Sequence, residues 1–369
     1  MVDFRAKFVL APMVRVGELP TRLLALKYGA DLVWGPEIID KRLVRAERVF
    51  NPKLNTVDFI QKDGNKKIPG TTDLVFRTYR KLEQDKLIFQ LGTANPDLAV
   101  QAAKIVAADV DGIDVNAGCP KHFSVHSGMG AALLKTPDLL CDILVALVEH
   151  VGVPFKKPIS VKIRLLAEEE NTLQLVRRLV KTGIKNLTVH CRTREMRNGQ
   201  DPIRDYVDKI KEICTEAGVS MIINGGVKSY QEYRDLQKMF GDDVGCMIAS
   251  KAEVNPTIFN ASGPLPWPLM VKEYVRFAAQ VNNSNTNTKY CLATMMPNPR
   301  GKNVICRLVS QSKKIEEVVD AVLNKMDDEG AFIGDKSSAP GDDVKIENHK
   351  DLKRRLDLED IETIKRIKV

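Results

Sequence analysis

Cys119 lies within "GIDVNAGCPKHFSVHSGMGAALL", from Gly112 to Leu134, where an apolar strand-like run gives way to Asn-Ala-Gly-Cys-Pro-Lys. A thiol with an ordinary pKa of about 8.5 is mostly protonated at neutral pH. It can therefore donate a proton, provided that no neighbouring cation lowers that pKa strongly. Pro120 fixes the backbone after it, and the polar, glycine-rich loop that follows is suited to closing over a substrate. A free cysteine is more often a buried structural one. Position alone leaves the two readings level.

Other residue types point to the same kind of site. Lys162, at the end of "ISVKIR", is a cation that needs an anion or an electron-rich ring edge if it faces a site. Gln90 and Asn116 carry amide donors and acceptors suited to a flavin or pyrimidine edge. His190, in "NLTVHCR", can hold an oxygen or a phosphate, or can be structural. Asn224-Gly225-Gly226 and the stretch with Ala249 and Ser250 are rich in small residues, which let backbone N–H groups approach an anion. His122 and His126 stand four apart, but their segment is rich in glycine and serine and no third ligand is evident. A solvated loop is favoured there over a metal site.

These residues share one position in the local pattern. Apolar β-branched runs recur: "KFVLAPM", "ADLVWGP", "KLIFQLG", "GIDVNAG", "ISVKIRL", "NLTVHCR", "SMIINGG" and "GCMIASK". Amphipathic segments such as "NPDLAVQAAKIVAA" and "NTLQLVRRLVKTG" separate them. Strands covered on both faces read as continuous apolar runs, and strand–helix alternation means parallel pairing and an α/β fold. Eight such strands favour a closed (β/α)8 TIM barrel, whose chemistry sits at the C-terminal strand ends. The candidate residues lie at those ends. Ordinary turns would account for Asn-Gly-Gly but not for Gln, Lys and His together.

The barrel is expected over 1–263, ending near the prolines Pro256, Pro264, Pro266 and Pro268. Helical spacing in "LMVKEYVRFAAQV", "KYCLATMM" and "IEEVVDAVLNKM" predicts a small all-α domain over 264–327. Residues 328–369 read as a flexible tail with a terminal helix in "KDLKRRLDLEDIETIKRIKV".

The chain has 369 residues and a net charge of +8, compatible with a polyanionic partner. Its seven cysteines include no CxxC pair, which argues against a disulfide framework or a zinc site. There is no Walker A motif, and Gly128-Met129-Gly130-Ala131 is too short a match for a dinucleotide fold. No apolar run approaches the roughly 20 residues of a membrane helix. The start, "MVDFRAKFVLAPM", lacks a signal-peptide pattern, so a reducing compartment is expected: cytoplasm, with a nuclear fraction allowed.

At "VLAPMVRVGELPTR", "FQLG", "DVNAGCPK", "SVKIR", "TVHCRTRE" and "INGGV" the chain resembles the tRNA-dihydrouridine synthases, flavoenzymes that reduce uridines in tRNA. It is most similar to the fungal members of the eukaryotic branch acting on position 20 of the D-loop. The resemblance implies FMN as cofactor, NADPH or NADH as reductant and tRNA as partner; the patterns above give the expectation of no metal and no membrane, and a monomer is expected. By that likeness Pro12, Met13 and Val14 line the isoalloxazine, and Gln90 and Lys162 meet its polar edge. His190 sits near flavin and substrate. Asn224, Gly225, Gly226, Ala249 and Ser250 hold the phosphate. Cys119 is the proton donor and Asn116 places the base, while Arg192 and Arg194 lie where relatives meet RNA.

Two departures stand out. Cys191 occupies a position where many relatives have glycine, and Ser250 one where arginine is usual. The stretch after Asp327 is also expected to be too short for the double-stranded-RNA-binding module of animal relatives. Two other functions fit the residues alone: a flavin barrel acting on a free pyrimidine or enone, and a barrel that binds tRNA without catalysis.

Overall fold

The computed structural model describes residues 2–62, 72–197, 199–298 and 303–333. Twelve strands are present among them, in chain order: β1 (Phe8–Leu10), β2 (Leu32–Trp34), β3 (Ile38–Ile39), β4 (Glu47–Asn51), β5 (Thr56–Lys62), β6 (Thr72–Thr78), β7 (Leu87–Gly92), β8 (Gly112–Ala117), β9 (Ile159–Arg164), β10 (Asn186–His190), β11 (Ser220–Asn224) and β12 (Gly245–Ile248). Eight of these close into a parallel barrel in the order β1, β2, β7, β8, β9, β10, β11, β12, with β12 returning to β1. Each of the eight apolar runs read from the sequence is one barrel strand. Helices such as Pro96–Val106, Pro137–Leu147 and Glu169–Leu179 surround it and bury their apolar faces on it. The chain is therefore a TIM barrel.

The two halves of the barrel interior differ. Val9, Ala11, Leu32, Trp34, Ile88, Ile222 and Met247 form an apolar cluster with Phe4. Opposite them, β8 to β10 carry polar side chains at two-residue spacing: Asp114 and Asn116, Ser160 and Lys162, Thr188 and His190. Pairing puts Gln90 opposite Asp114 and Asp114 opposite Ser160. Further along the strands, Arg164, His190, Asn224 and Met247 are successive register partners. The interior polar groups thus converge at the C-terminal mouth.

Three features depart from the sequence reading. β4, β5 and β6 form an antiparallel sheet inserted after β3, which the strand–helix alternation did not reveal. Phe59 and Phe76 anchor it, and Phe76 stands edge-on to Phe89 of the barrel with ring centroids 5.0 Å apart. The expected polar loop after Cys119 is a short helix, His122–His126, followed by a 3-10 turn, Gly130–Lys135. Beyond the barrel, helices Trp267–Gln280, Asn285–Met295 and Ile315–Val319 cover the segments with helical spacing, and a further helix, Val304–Gln311, was not anticipated. Asn303 caps that helix by accepting a hydrogen bond from the Cys306 N–H.

These C-terminal helices share a core with the barrel helix Leu19–Lys27, through Leu19, Leu23 and Leu24. Residues 328–333, read on composition as the start of the tail, fold back: Asp328 pairs with Lys272 at 2.6 Å, and Phe332 bridges Met326. The proposed terminal helix lies outside the described residues. Among the described residues no helix is long and apolar enough to cross a membrane.

Candidate active site

A cavity of about 450 Å³ opens at the C-terminal end of the barrel. Pro12, Met13 and Val14 after β1 line one wall, and Gln90, Asn116 and Lys162 reach it from β7, β8 and β9. His190, Arg192, Asn224, Gly225 and Gly226 come from the ends of β10 and β11, and Ala249 and Ser250 from that of β12. Cys119 stands at the lip on the loop after β8. Of the residues assigned to the site from the sequence, only Arg194 lies outside this lining.

The loop bearing Cys119 is held at several points. Asn116 Oδ1 accepts from the backbone N–H groups of Gly118 and Cys119, both at 3.0 Å. Arg164 donates through Nε to the Gly118 carbonyl at 2.9 Å and through Nη1 to the Thr193 carbonyl at 2.8 Å, tying the loops after β8 and β10 together. The Ala131 N–H closes onto the Cys119 carbonyl at 2.9 Å. Gly130 makes that turn possible: its φ is +59°, and a Cβ there would fall 2.4 Å from Ser124 Oγ and 2.6 Å from the Cys119 carbonyl oxygen. Burial pushes the Cys119 thiol up, and the charge of Glu37 adds to this against the opposing backbone N–H and charge of Lys121 and the Ser124 hydroxyl. The sulfur is held as a neutral S–H.

Asn116 is the other end of that arrangement. With Oδ1 engaged by the loop, its amide nitrogen faces Glu37. Burial raises the Glu37 carboxyl, and its Oε1 is enclosed without a hydrogen-bond partner.

On the barrel floor, Gln90 Nε2 donates to Asp114 Oδ2 at 2.8 Å and Ser160 Oγ to Asp114 Oδ1 at 2.6 Å. With Nε2 held at Asp114, the carbonyl oxygen is the end of the Gln90 amide left for the cavity that the residue lines. Asp114 is fully buried, and burial raises its carboxyl to about 6 despite Ser160, Gln90 and Lys162. Lys162 is lowered to about 8, by burial first and by Arg164 second, with Asp114 opposing both. Its ammonium makes no hydrogen bond or ion pair among the described residues and opens into the cavity.

His190 is kept neutral, its ring lowered to about 2 by burial and then by the charges of Lys162, Arg164 and Arg192. Arg192 Nη1 lies 3.2 Å from His190 Nε2, and arginine can only donate, so Nε2 accepts and Nδ1 carries the proton. Arg192 Nε donates to the Gln200 carbonyl at 2.7 Å, and the side chain is buried beside His190 rather than displayed outward. Gly225 has φ +100°, and a Cβ there would meet His190 Cδ2 at 2.8 Å. The N–H groups of Gly225 and Gly226 donate to no other group among the described residues, as an anion site requires. Asn224 Nδ2 donates to the Met247 carbonyl at 2.9 Å, so its amide nitrogen braces the strand ends.

Both departures noted in the sequence are accommodated. Cys191 is fully buried in the core between barrel and helices, its thiol raised to about 12 by burial, so it does not narrow the cavity. Ser250 is exposed, and the cations Lys228 and Lys251 line the same cavity.

Residues 9–318 match the dihydrouridine synthase (Dus) family. The chain is 52% identical over 345 residues to the tRNA-dihydrouridine(20) synthase [NAD(P)+] of Saccharomyces cerevisiae, covering 91% of this chain and 88% of that one. It is 49% identical over 320 residues to the protein of the same name from Schizosaccharomyces pombe, covering 86% and 64%. Identity to the tRNA-dihydrouridine(20a/20b) synthase [NAD(P)+] of Schizosaccharomyces pombe is 30%, with 71% of each chain covered. Among solved structures, morphinone reductase aligns over 69% of this chain with a TM-score of 0.42 and 12% identity. The chain belongs to the dihydrouridine synthase family.

Several residues that shape this dihydrouridine synthase site had no role assigned from the sequence. Arg164 stands two residues after Lys162 on one strand, so the period of two puts both on one face. Glu37 follows Gly35-Pro36 just beyond β2, a strand-end acid that had no partner in sequence. Asp114 reads as one acid in an apolar run, and Tyr290 lies on helix Asn285–Met295, far away in the chain. Neither carries a local signal.

Proposed function

We propose that this dihydrouridine synthase reduces a uridine of tRNA, position 20 of the D-loop, to 5,6-dihydrouridine, with FMN as bound cofactor and NADPH or NADH as reductant. The substrate and position follow the two fungal relatives, of which the chain covers 88% and 64%. One observation carries the chemistry: a neutral thiol, Cys119, at the lip of a cavity whose floor holds the unpartnered ammonium of Lys162.

The residues present suit FMN. The free N–H groups of Gly225 and Gly226, with Lys228, Lys251 and the rim at Ala249 and Ser250, form a phosphate cradle. Lys162 and the Gln90 carbonyl oxygen offer a cation and an acceptor to the polar edge of a planar ring, and Pro12, Met13 and Val14 a wall for its flat face. When bound, reduced FMN supplies the hydride that adds to C6 of uracil.

The chain's own residues complete the reaction. The target base must leave its stack to reach a cavity, and Asn116, fixed by its loop and facing Glu37, offers an amide hydrogen to a carbonyl of the ring. The Cys119 S–H bond breaks as its proton forms the C–H bond at C5, and the C5=C6 double bond is lost. The remaining thiolate regains a proton from solvent, because burial favours the neutral thiol. His190, held neutral and protonated at Nδ1, adds a donor without adding charge.

We assign tRNA recognition to the C-terminal helices of 264–327 as a second domain, gripping mainly phosphates, so that binding weakens as salt rises. The test is a map of dihydrouridine in tRNA from cells lacking this protein. Loss at position 20, restored by the wild-type chain and not by Cys119→Ala, is expected. An unchanged map overturns the reading, and reduction of free uridine without tRNA would favour a small-pyrimidine reductase.

A further inference from the structure

The geometry points to Arg15 and Tyr290 as a nucleotide platform at the cavity mouth, on which the RNA base next to the target uridine stacks while its phosphate meets the Arg15 guanidinium. This rests on the tRNA-reductase reading above. Among the described residues, Tyr290 is the only cavity-lining residue that comes from beyond Glu253. It belongs to helix Asn285–Met295, and the residue is 39% exposed. An aromatic ring left partly exposed at the edge of this cavity has no packing role that needs that exposure. Arg15 lies over it, with Cζ 5.3 Å from the ring centroid. No carboxylate pairs with Arg15 among the described residues, so its charge is available to a phosphate. The neighbouring Lys289 is not: its Nζ donates to the Ser310 and Ser312 carbonyls at 3.0 and 2.8 Å.

The platform is fixed relative to the wall of Pro12, Met13 and Val14. Arg15 has φ +70°, a left-handed conformation that a residue with a side chain holds only where its surroundings impose it. They do so here from the helical region: Asn287 Nδ2 donates to the Arg15 carbonyl at 2.6 Å, and Cys291 Sγ reaches the same oxygen at 3.7 Å. The Gly17 N–H meanwhile closes the turn onto the Met13 carbonyl at 2.7 Å. A base drawn out of an RNA strand leaves its neighbour without a stacking partner. A ring at the mouth replaces that partner whatever the base, since every base has a π face.

The experiment measures dihydrouridine formation on tRNA isolated from cells that lack the enzyme, with bound flavin quantified by absorbance. Tyr290→Leu keeps bulk and loses the stacking surface. Its KM for tRNA should rise about tenfold, with flavin content as in wild type. Tyr290→Phe should restore the wild-type KM. Arg15→Ala should lower the slope of log KM against log salt by about 1, the signature of one lost phosphate contact. A Tyr290→Leu KM within about twofold of wild type, or loss of flavin in proportion to activity, overturns the platform, the second outcome showing a structural staple. Should Tyr290→Leu fail to fold, an unchanged salt slope in Arg15→Ala overturns it instead. Wild-type enzyme that forms no dihydrouridine on this tRNA refutes the underlying function, which is a separate result.

Discussion

Gln90 Nε2 donates to Asp114 Oδ2 across 2.8 Å, and this bond decides which end of the glutamine faces the cavity. The register that pairs β7 with β8 places the two residues opposite one another. Asp114 accepts a second bond from Ser160 on β9, so both carboxylate oxygens are used. The acid is a positioning residue: it presents the Gln90 carbonyl and offsets the charge of Lys162.

Replacing Asp114 with Asn keeps the shape, removes the charge and lets the Gln90 amide turn over. FMN affinity should fall about tenfold, the scale of one misdirected hydrogen bond at roughly 1.4 kcal/mol. Flavin fluorescence quenching measures it. An unaltered dissociation constant in a stable Asp114→Asn variant would remove Asp114 from this role.

The pH dependence follows from the same pair. Asp114 is raised to about 6 and Lys162 lowered to about 8, so between these values the acid is ionised and the lysine charged. Below about 6 a protonated Asp114 is a weaker acceptor for Gln90 Nε2, so the aim of the Gln90 carbonyl loosens, and above about 8 Lys162 itself becomes neutral. FMN affinity of the apoprotein should therefore form a bell with limbs near these values. Lys162→Met should abolish the alkaline limb. A flat profile from pH 5 to 9 contradicts this.

Cys119→Ala should leave flavin bound and reducible by NADPH while dihydrouridine formation falls by at least about 100-fold, the usual scale of general-acid catalysis. Single-turnover assays on tRNA read this directly. Turnover near the wild-type rate would exclude the thiol as proton donor.

Gly225→Ala should cost about 1–3 kcal/mol locally, because φ is +100° and the new methyl would sit 2.8 Å from the His190 ring. The consequence is displacement of either His190 or the backbone N–H groups of the phosphate cradle. Purified Gly225→Ala protein should carry little flavin. Wild-type flavin content in that variant would refute the cradle.

Much of this was open to reading in the chain itself. The eight apolar runs, separated by amphipathic segments, read as buried parallel strands, since strands covered on both faces need not alternate. A TIM barrel places chemistry at C-terminal strand ends, so Gln90, Asn116, Lys162 and His190 were identifiable as neighbours from the chain alone. What local pattern left open were relations across the barrel: that Asp114 aims Gln90, that Arg164 ties the Cys119 loop to Thr193, that Glu37 faces Asn116. Strand register and loop docking create those, and neither is encoded within one element's periodicity. The inserted sheet of β4, β5 and β6 was hidden for a related reason, being a local antiparallel excursion within a parallel alternation. Sequence thus determined which side chains reach the mouth of the barrel, because a strand's period fixes the side on which each residue emerges. Tertiary structure decided how their donors, acceptors and charges face one another, because hydrogen-bond direction and pKa depend on burial and on partners distant in the chain.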